Sequence, residues 1–312
     1  MTLNNFRRAV LTAPTLLISL ALTLTLTGCS PRQMVIGSVA DGLAAQGQAV
    51  ETDLDLAREA SAFYLKFSES LLREQPGHTG LAEAVAGGFT QYAYAFVAFD
   101  ADQIEDKDAR AAERLRKRAA KLYHRANVHA MTALEKNNPG FTAALRSELP
   151  ATSSALKLKP LKLKPNEIGL AYWAAASWGG WISLSKDDPD VVADLPAAVR
   201  LATLAWQADP DWGQGTLTGL MATFESSRAG GKPAQALAWF DHAITQSAGK
   251  SAGPLVGKAE GYALPAGDRA AFDALLKQAL DIRDEANSPL ALQNEVMRRR
   301  AAWLLEKSED LF

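Results

Sequence analysis

Apolar residues recur every three or four positions along most of this chain, the spacing that places them on one face of an α-helix. The pattern predicts helices over residues 53–73, 79–99, 109–137 and 294–307. Strict alternation of apolar and polar residues, which is typical of a half-buried strand, runs for a useful length at residues 156–165 alone. Because two prolines in that segment exclude a central strand, we expect an all-α fold.

Residues 169–189 carry apolar side chains on every face of a predicted helix. Such a helix is buried, because none of its faces is suited to water. Asn166 is expected to cap this helix and Pro189 to end it. Gly179 and Gly180 leave room for a neighbouring backbone or for a flat group against the aromatic rings. Two interpretations stay open, a central core helix or a helix whose rings line a ligand cavity.

Three turn sequences break the helical pattern at similar intervals. Each contains a proline, and Pro76, Pro139 and Pro210 are separated by 63 and 71 residues. Both intervals are close to two units of about 34 residues, the tetratricopeptide period. Small and large packing residues typical of such helical pairs follow at Ala236, Phe240, Ala243, Phe272, Leu276 and Ala279. We therefore expect tetratricopeptide-like helical repeats stacked as an α-superhelix.

The alternating segment 156–165 is a duplicated Leu-Lys-Leu-Lys-Pro unit. Its prolines favour an extended loop or at most an edge ribbon. Its four lysines suit either contact with anionic lipid or an acidic partner, or simple exposure to water in a connector.

The amino terminus has the layout of a secretory signal peptide. Arg7 and Arg8 precede an apolar run over residues 9–26, and small residues lead to Cys29. The run is long enough for a transmembrane anchor, but Pro14 and the small residues before the cysteine favour cleavage. The ending Leu-Thr-Gly-Cys resembles a bacterial lipoprotein box, in which the cysteine thiol receives a diacylglycerol and becomes the acylated amino terminus.

These features divide the chain into three parts. We expect a lipoprotein signal peptide over residues 1–28, an acylated tether over 29–50 and a helical-repeat domain over 51–312. Ser30 follows the cysteine where an aspartate would retain a lipoprotein at the inner membrane. In a Gram-negative host this arrangement predicts a periplasmic protein that is held at the outer membrane by its lipid.

Charge and cysteine content exclude two classes of function. The chain has 33 basic and 35 acidic residues, and without residues 1–28 the balance is 31 against 35. A general nucleic-acid binder would carry an evident basic excess. The chain has one cysteine, so it forms no intramolecular disulfide and no multi-cysteine metal site.

Catalytic and metal-binding motifs are equally scarce. The chain has four histidines, none of them three or four residues from another: His78, His124, His129 and His242. Ser177 stands in a weak likeness of a nucleophile elbow that lacks the first glycine and the preceding strand, which leaves a hydrolase as a remote alternative. No phosphate-binding loop is present. We expect no catalytic residues, no metal and no cofactor.

Seven segments, taken in order, resemble the T component of TRAP transporters, the TatT family of tetratricopeptide-type periplasmic lipoproteins. They span nearly all of the chain after Cys29, and only the Leu-Lys-Leu-Lys-Pro duplication departs from the family pattern. The segments are residues 88–97, 118–123, 172–178, 185–189, 209–212, 230–232 and 298–312.

The resemblance implies a non-enzymatic partner of the periplasmic solute-binding protein of a TRAP transporter, an ion-coupled system commonly used for organic acids. It also implies homo-oligomers and a channel that passes or holds an apolar ligand. From chemistry and spacing we select six rings as candidates for lining it: Tyr92, Tyr94, Tyr172, Trp173, Trp178 and Trp181. The alternative is a tetratricopeptide-type scaffold for outer-membrane assembly.

Overall fold

A computed structural model of the protein describes residues 31–46, 53–147, 161–285 and 288–312. By its contacts the chain divides into two units, Met1–Val39 and Ala40–Phe312. All regular elements of the described ranges are helical, which confirms the all-α prediction. The predicted signal peptide, Cys29 and the first Leu-Lys-Leu-Lys-Pro unit lie outside the described residues.

The helices before the middle of the chain agree closely with the apolar pattern. A π-helical segment, Tyr94–Ala98, joins the third helix to the fourth, so this continuous helical stretch extends five residues beyond the predicted end at Phe99. The helices are α1 (Pro31–Gln46), α2 (Leu54–Glu74), α3 (Thr79–Ala93), α4 (Phe99–Ile104), α5 (Ala109–Asn137) and α6 (Phe141–Arg146).

The remaining helices follow residue 160. A 3₁₀ turn, Pro165–Glu167, precedes α7, a second 3₁₀ turn, Trp212–Gly215, precedes α10, and a π-helical segment, Ala259–Ala263, follows α12. The helices are α7 (Ile168–Ser183), α8 (Pro189–Val192), α9 (Leu195–Ala208), α10 (Thr216–Ser227), α11 (Pro233–Gln246), α12 (Gly253–Lys258), α13 (Arg269–Asp281), α14 (Ala291–Glu306) and α15 (Ser308–Leu311).

Aspartate caps explain why the predicted starts of α2 and α5 are accurate. The Asp53 carboxylate accepts hydrogen bonds from the backbone N–H groups of Asp55 and Leu56, each at 3.0 Å, and α2 begins at the next residue. Asp108 accepts from the N–H of Ala111 at 2.8 Å, and α5 begins at Ala109. Each cap satisfies donors that have no partner inside the helix.

Both predicted ends of α7 were wrong. Asn166 lies inside the 3₁₀ turn that precedes the helix, so it does not cap α7. The N–H groups of Leu184 and Ser185 bond three residues back, to Trp181 and Ile182, at 3.2 and 3.1 Å. These tighter bonds end α7 at Ser183 without the help of a proline, and Pro189 instead begins α8.

The central position predicted for α7 is confirmed. This helix packs against α3, α5 and α9, and the side chains of Leu170, Ala174 and Trp178 are buried. Its glycines admit rings from neighbouring helices. A β-carbon at Gly180 would lie 2.8 Å from the Tyr123 ring, and one at Gly179 would lie 2.9 Å from the Phe224 ring.

The later helices also pack largely in chain order, α10 on α11, α11 on α12 and α12 on α13. The packing residues chosen from the sequence are all buried, namely Ala236, Phe240, Ala243, Phe272, Leu276 and Ala279. The three proline turns each follow the end of a helix, those of α2, α5 and α9. Helical pairs are therefore present, and the tetratricopeptide-like superhelix stays a prediction.

The last long helix, α14, returns to the amino-terminal helices of the same unit. The rings of Phe99 and Trp303 meet edge to face with centroids 5.7 Å apart. The Arg300 guanidinium lies 2.6 Å from Asp102 and 2.7 Å from Glu260. Burial alone would lower the pKa of Arg300, but the carboxylates of Glu260 and Asp102 raise it. Arg300 therefore stays charged where α14 meets the earlier helices.

The helices of the described ranges have one further property in common. None of them combines the length and the continuous apolar character needed to cross a bilayer.

Candidate functional site

A groove with a volume of about 440 Å³ is lined by α5, α6, α7 and Asp194, which precedes α9. We call it the α5–α7 groove. One wall of the groove is a single face of α5. The lining residues of this helix, between His124 and Lys136, recur every three or four positions, the spacing that places them on one face. Asn127 fixes this face to α7 by donating a hydrogen bond from Nδ2 to the carbonyl of Ala174 at 3.0 Å.

Aromatic rings form much of the apolar surface of the α5–α7 groove. The ring centroids of His124 and Trp181 are 4.1 Å apart, and the Arg146 guanidinium lies 5.4 Å from the centre of the Trp178 ring. Met131 and Val128 contribute aliphatic surface from α5. A volume of this size, with apolar walls and a few polar groups, is typical of sites for small molecules.

The indole of Trp178 has an unsatisfied donor. Its side chain is 2% exposed, and its buried Nε1–H has no hydrogen-bond acceptor among the described residues. A buried donor without a partner costs about 1–3 kcal/mol. The Trp178 ring also forms part of the wall of the groove.

Charged groups at the edge of the groove are largely held by local contacts. The Arg146 guanidinium pairs with the Asp194 carboxylate at 2.7 Å, and its remaining N–H groups can still donate. Glu135 accepts hydrogen bonds from the backbone N–H groups of Thr142 and Gly140, at 2.8 and 2.6 Å, and these bonds lower the pKa of the carboxyl. Glu135 therefore secures the start of α6, and Arg146 is the better placed ligand donor.

Of the six rings selected from the sequence, Trp178 and Trp181 line the α5–α7 groove. Tyr172 and Trp173 contact each other, with ring centroids 4.7 Å apart, and Tyr172 also contacts Trp212 at 4.9 Å. These rings pack against the main core.

The last two selected rings, Tyr92 and Tyr94, pack against other parts of the chain. Tyr92 meets Phe96 edge to face at 5.5 Å. The Tyr94 hydroxyl lies 3.9 Å from the sulfur of Met297 in α14. Burial raises the pKa of both Tyr94 and Tyr172, so these two phenols stay protonated.

Sequence reasoning missed several residues of the groove. His124, Met131 and Arg146 were not selected, and neither was Asp194. The helical spacing of His124, Asn127 and Met131 on α5 was available as a signal, but it is equally typical of core packing. Arg146 and Asp194 pair although they are 48 positions apart in the sequence, so no local sequence pattern indicates this contact.

Residues with catalytic or metal-binding side chains have structural contacts. Ser177 is buried in the middle of α7, and its hydroxyl donates to the carbonyl of Ala174 at 3.0 Å. His78 accepts from the N–H of Leu81 at 3.1 Å at the start of α3. His129 lies 2.8 Å from the Glu69 carboxylate. In the part of the chain that the structure describes, no three His, Cys, Asp or Glu side chains are grouped to hold a metal ion.

Comparison with known proteins adds an independent observation. The sequence model of one protein family, described as TRAP transporter T-component, matches residues 50–312. The chain is also similar to a protein of Treponema pallidum (strain Nichols) that is described as uncharacterized. The two are 27% identical over 265 residues, which cover 84% of this chain and 81% of the relative. The region matched by the family model contains the whole α5–α7 groove.

Proposed function

The chain belongs to the TRAP transporter T-component family, and we propose that it is a non-enzymatic accessory component of TRAP-type solute uptake in the periplasm. In this proposal it binds the periplasmic solute-binding protein of the transporter and holds a small ligand. The observation that carries the ligand role is the α5–α7 groove, where Arg146 lies beside apolar side chains.

The chemistry of the groove favours an organic acid with an apolar body. The carboxylate would accept from the N–H groups of Arg146 that the pair with Asp194 leaves free. The apolar part would lie against Trp181 and Met131. Binding of this kind needs no chemical step, which agrees with an accessory role.

Anchorage to the membrane through Cys29 is part of the same proposal. The leader-like residues 1–28 and the small residues before the cysteine support it. We expect Cys29→Ser to release the protein from the membrane fraction, because the anchor is attached outside the helical domain. Fractionation of cell envelopes and circular dichroism of the released protein measure this result. A variant that stays with the outer membrane would contradict lipidation.

Affinity capture tests the transport role. The full-length tagged chain is extracted in mild detergent, incubated with native periplasmic extract and recovered on the tag. We expect a TRAP-type solute-binding protein to be enriched, and a carboxylic acid to appear in a solvent extract of the captured complex. Mass spectrometry identifies both.

The matched variant for this experiment is Arg146→Gln, which removes the charge and shortens the side chain but keeps a polar amide that can donate hydrogen bonds. We expect it to lose the acid and to keep the protein partner. Recovery of outer-membrane assembly factors in place of a solute-binding protein would refute the transport role and favour the scaffold. Equal amounts of acid on both chains would refute the ligand site.

A further inference from the structure

The first half of helix α5 carries a row of cations on one exposed face. Four exposed side chains, spaced four, four and three residues apart, form this row: Arg110, Arg114, Arg118 and Lys121. We call these four residues the α5 basic stripe. Its ends are 11 positions apart, about 16 Å along the helix. No carboxylate among the described residues pairs with any of the four, so their charges are available to a ligand.

Acidic residues near the α5 basic stripe are already bound. Glu105 pairs with Arg116 at 2.5 Å, and Glu113 pairs with Lys117 at 3.3 Å. The Asp108 carboxylate caps α5 by accepting a hydrogen bond from a backbone N–H at 2.8 Å. The folded chain therefore presents a local excess of positive charge, although its net charge is −2.

The start of α5 is an unfavourable place for cations. The N-terminus of a helix carries a partial positive charge, so acidic residues are preferred in the first turn. The first turn of α5 has no acidic residue, and it contains Arg110. Arg114 and Arg118 follow at intervals of four, a spacing at which like charges repel each other. A sequence choice that opposes local stability in this way is typical of a functional surface.

We propose that the α5 basic stripe binds the anionic headgroups of a phospholipid surface. Three of its four residues are arginines, whose guanidinium groups pair with phosphate through two parallel hydrogen bonds. Each basic residue near an anionic membrane strengthens binding about fivefold. The stripe then holds one face of α5 against the membrane to which the anchor at Cys29 attaches the chain. This contact goes beyond the proposed transport role and does not depend on it.

An acidic protein suits the α5 basic stripe less well. The centre of a protein–protein interface is apolar and depleted of charged residues. Among residues 110–121 no large apolar side chain is exposed. The exposed large apolar residue of α5 is Val128, which lies about two turns beyond Lys121 and lines the α5–α7 groove. A headgroup surface needs no apolar centre, because the attraction is between opposite charges.

Energy transfer from the full-length chain to labelled vesicles tests this contact. A donor fluorophore is attached to a cysteine introduced beside the stripe, Ala109→Cys, or in α13, Ala274→Cys, both at exposed alanines. The vesicles contain phosphatidylcholine alone or mixed with phosphatidylglycerol, and an acceptor is attached to their lipids. We expect transfer from the probe at position 109 to rise in the anionic vesicles and to exceed transfer from position 274. About 1 M salt should remove the increase.

The comparison of the two vesicle types reports the headgroup contact whether or not Cys29 is acylated. A chain without an added cysteine gives the background from Cys29. Equal transfer in the two vesicle types, or an equal increase at both probe positions, would overturn the proposal.

Two pairs of substitutions, each added to Ala109→Cys, test the stripe itself. Arg114→Gln with Arg118→Gln should reduce the ratio of docked to undocked chains on anionic vesicles about thirtyfold, the product of two fivefold losses. Both arginines are exposed and unpaired among the described residues, so circular dichroism should show an intact fold. Lys232→Gln with Lys277→Gln removes the same charge from exposed lysines later in the chain and should change the ratio less than about twofold.

Two results would assign the charges another role. If both pairs of substitutions weaken docking equally, the attraction belongs to the whole chain and the proposal fails. If vesicle docking is unchanged by the arginine substitutions, while an acidic periplasmic protein is captured by the unaltered chain and lost by the variant, the stripe is a protein interface.

Discussion

Replacement of Trp178 by alanine should lower the free energy of unfolding by about 3–5 kcal/mol, the usual loss when a buried aromatic ring is removed. The side chain is 2% exposed and belongs to the main core, where α7 meets its neighbours. Because Trp178 also forms a wall of the α5–α7 groove, the variant should lose the captured acid as well. Urea unfolding followed by circular dichroism measures the loss.

Two control variants separate core packing from ligand binding. Trp178→Phe keeps most of the ring and removes only a buried donor without a partner, so we expect a loss below about 1.5 kcal/mol with ligand binding retained. Trp181→Ala removes a half-buried ring of the groove and should cost less stability than Trp178→Ala. A loss below about 1 kcal/mol for Trp178→Ala would contradict the core role of this ring.

The fold could be predicted where local chemistry decides it. The bounds of α5 follow from the Asp108 cap and from the turn at Pro139, and the structure has the helix at Ala109–Asn137 as predicted. The all-round apolar pattern of residues 169–189 indicated a buried helix, and α7 is buried. The ends of α7 could not be predicted, because 3₁₀ bonds set both of them while Asn166 and Pro189 offered stronger local signals.

The candidate site could be predicted only in part. Trp178 and Trp181 were found because large aromatic residues stand out in any sequence. Arg146 and Asp194 were not found, because their pairing depends on how α6 lies against the start of α9. The same limit applies to Glu69 in α2. Its partners Arg125 and His129 lie more than fifty positions later in α5, so no local sequence pattern joins them to Glu69.

Glu69→Gln should lower the free energy of unfolding by about 3 kcal/mol at neutral pH. The Glu69 side chain is 3% exposed and is bound by Arg125, by Lys66 at 2.6 Å and by His129 at 2.8 Å. Burial alone would raise the pKa of this carboxyl. The hydrogen bonds from Arg125, Lys66 and His129 outweigh burial and lower the pKa from 4.5 to about 2. The glutamine keeps the shape but leaves these cations without their shared charge.

The pH dependence of this loss identifies its cause. A carboxyl whose pKa is lowered in the folded state stabilises the fold fully above its unfolded pKa of 4.5, and the stabilisation disappears as the pH falls toward about 2. The difference between the wild type and Glu69→Gln should therefore be constant from pH 7 to pH 5 and shrink by pH 3. Glu113→Gln, which removes an exposed pair with Lys117, should cost less than about 0.5 kcal/mol at every pH. A difference for Glu69→Gln that did not shrink in acid would assign the loss to packing, and the charge network around Glu69 would then contribute nothing to stability.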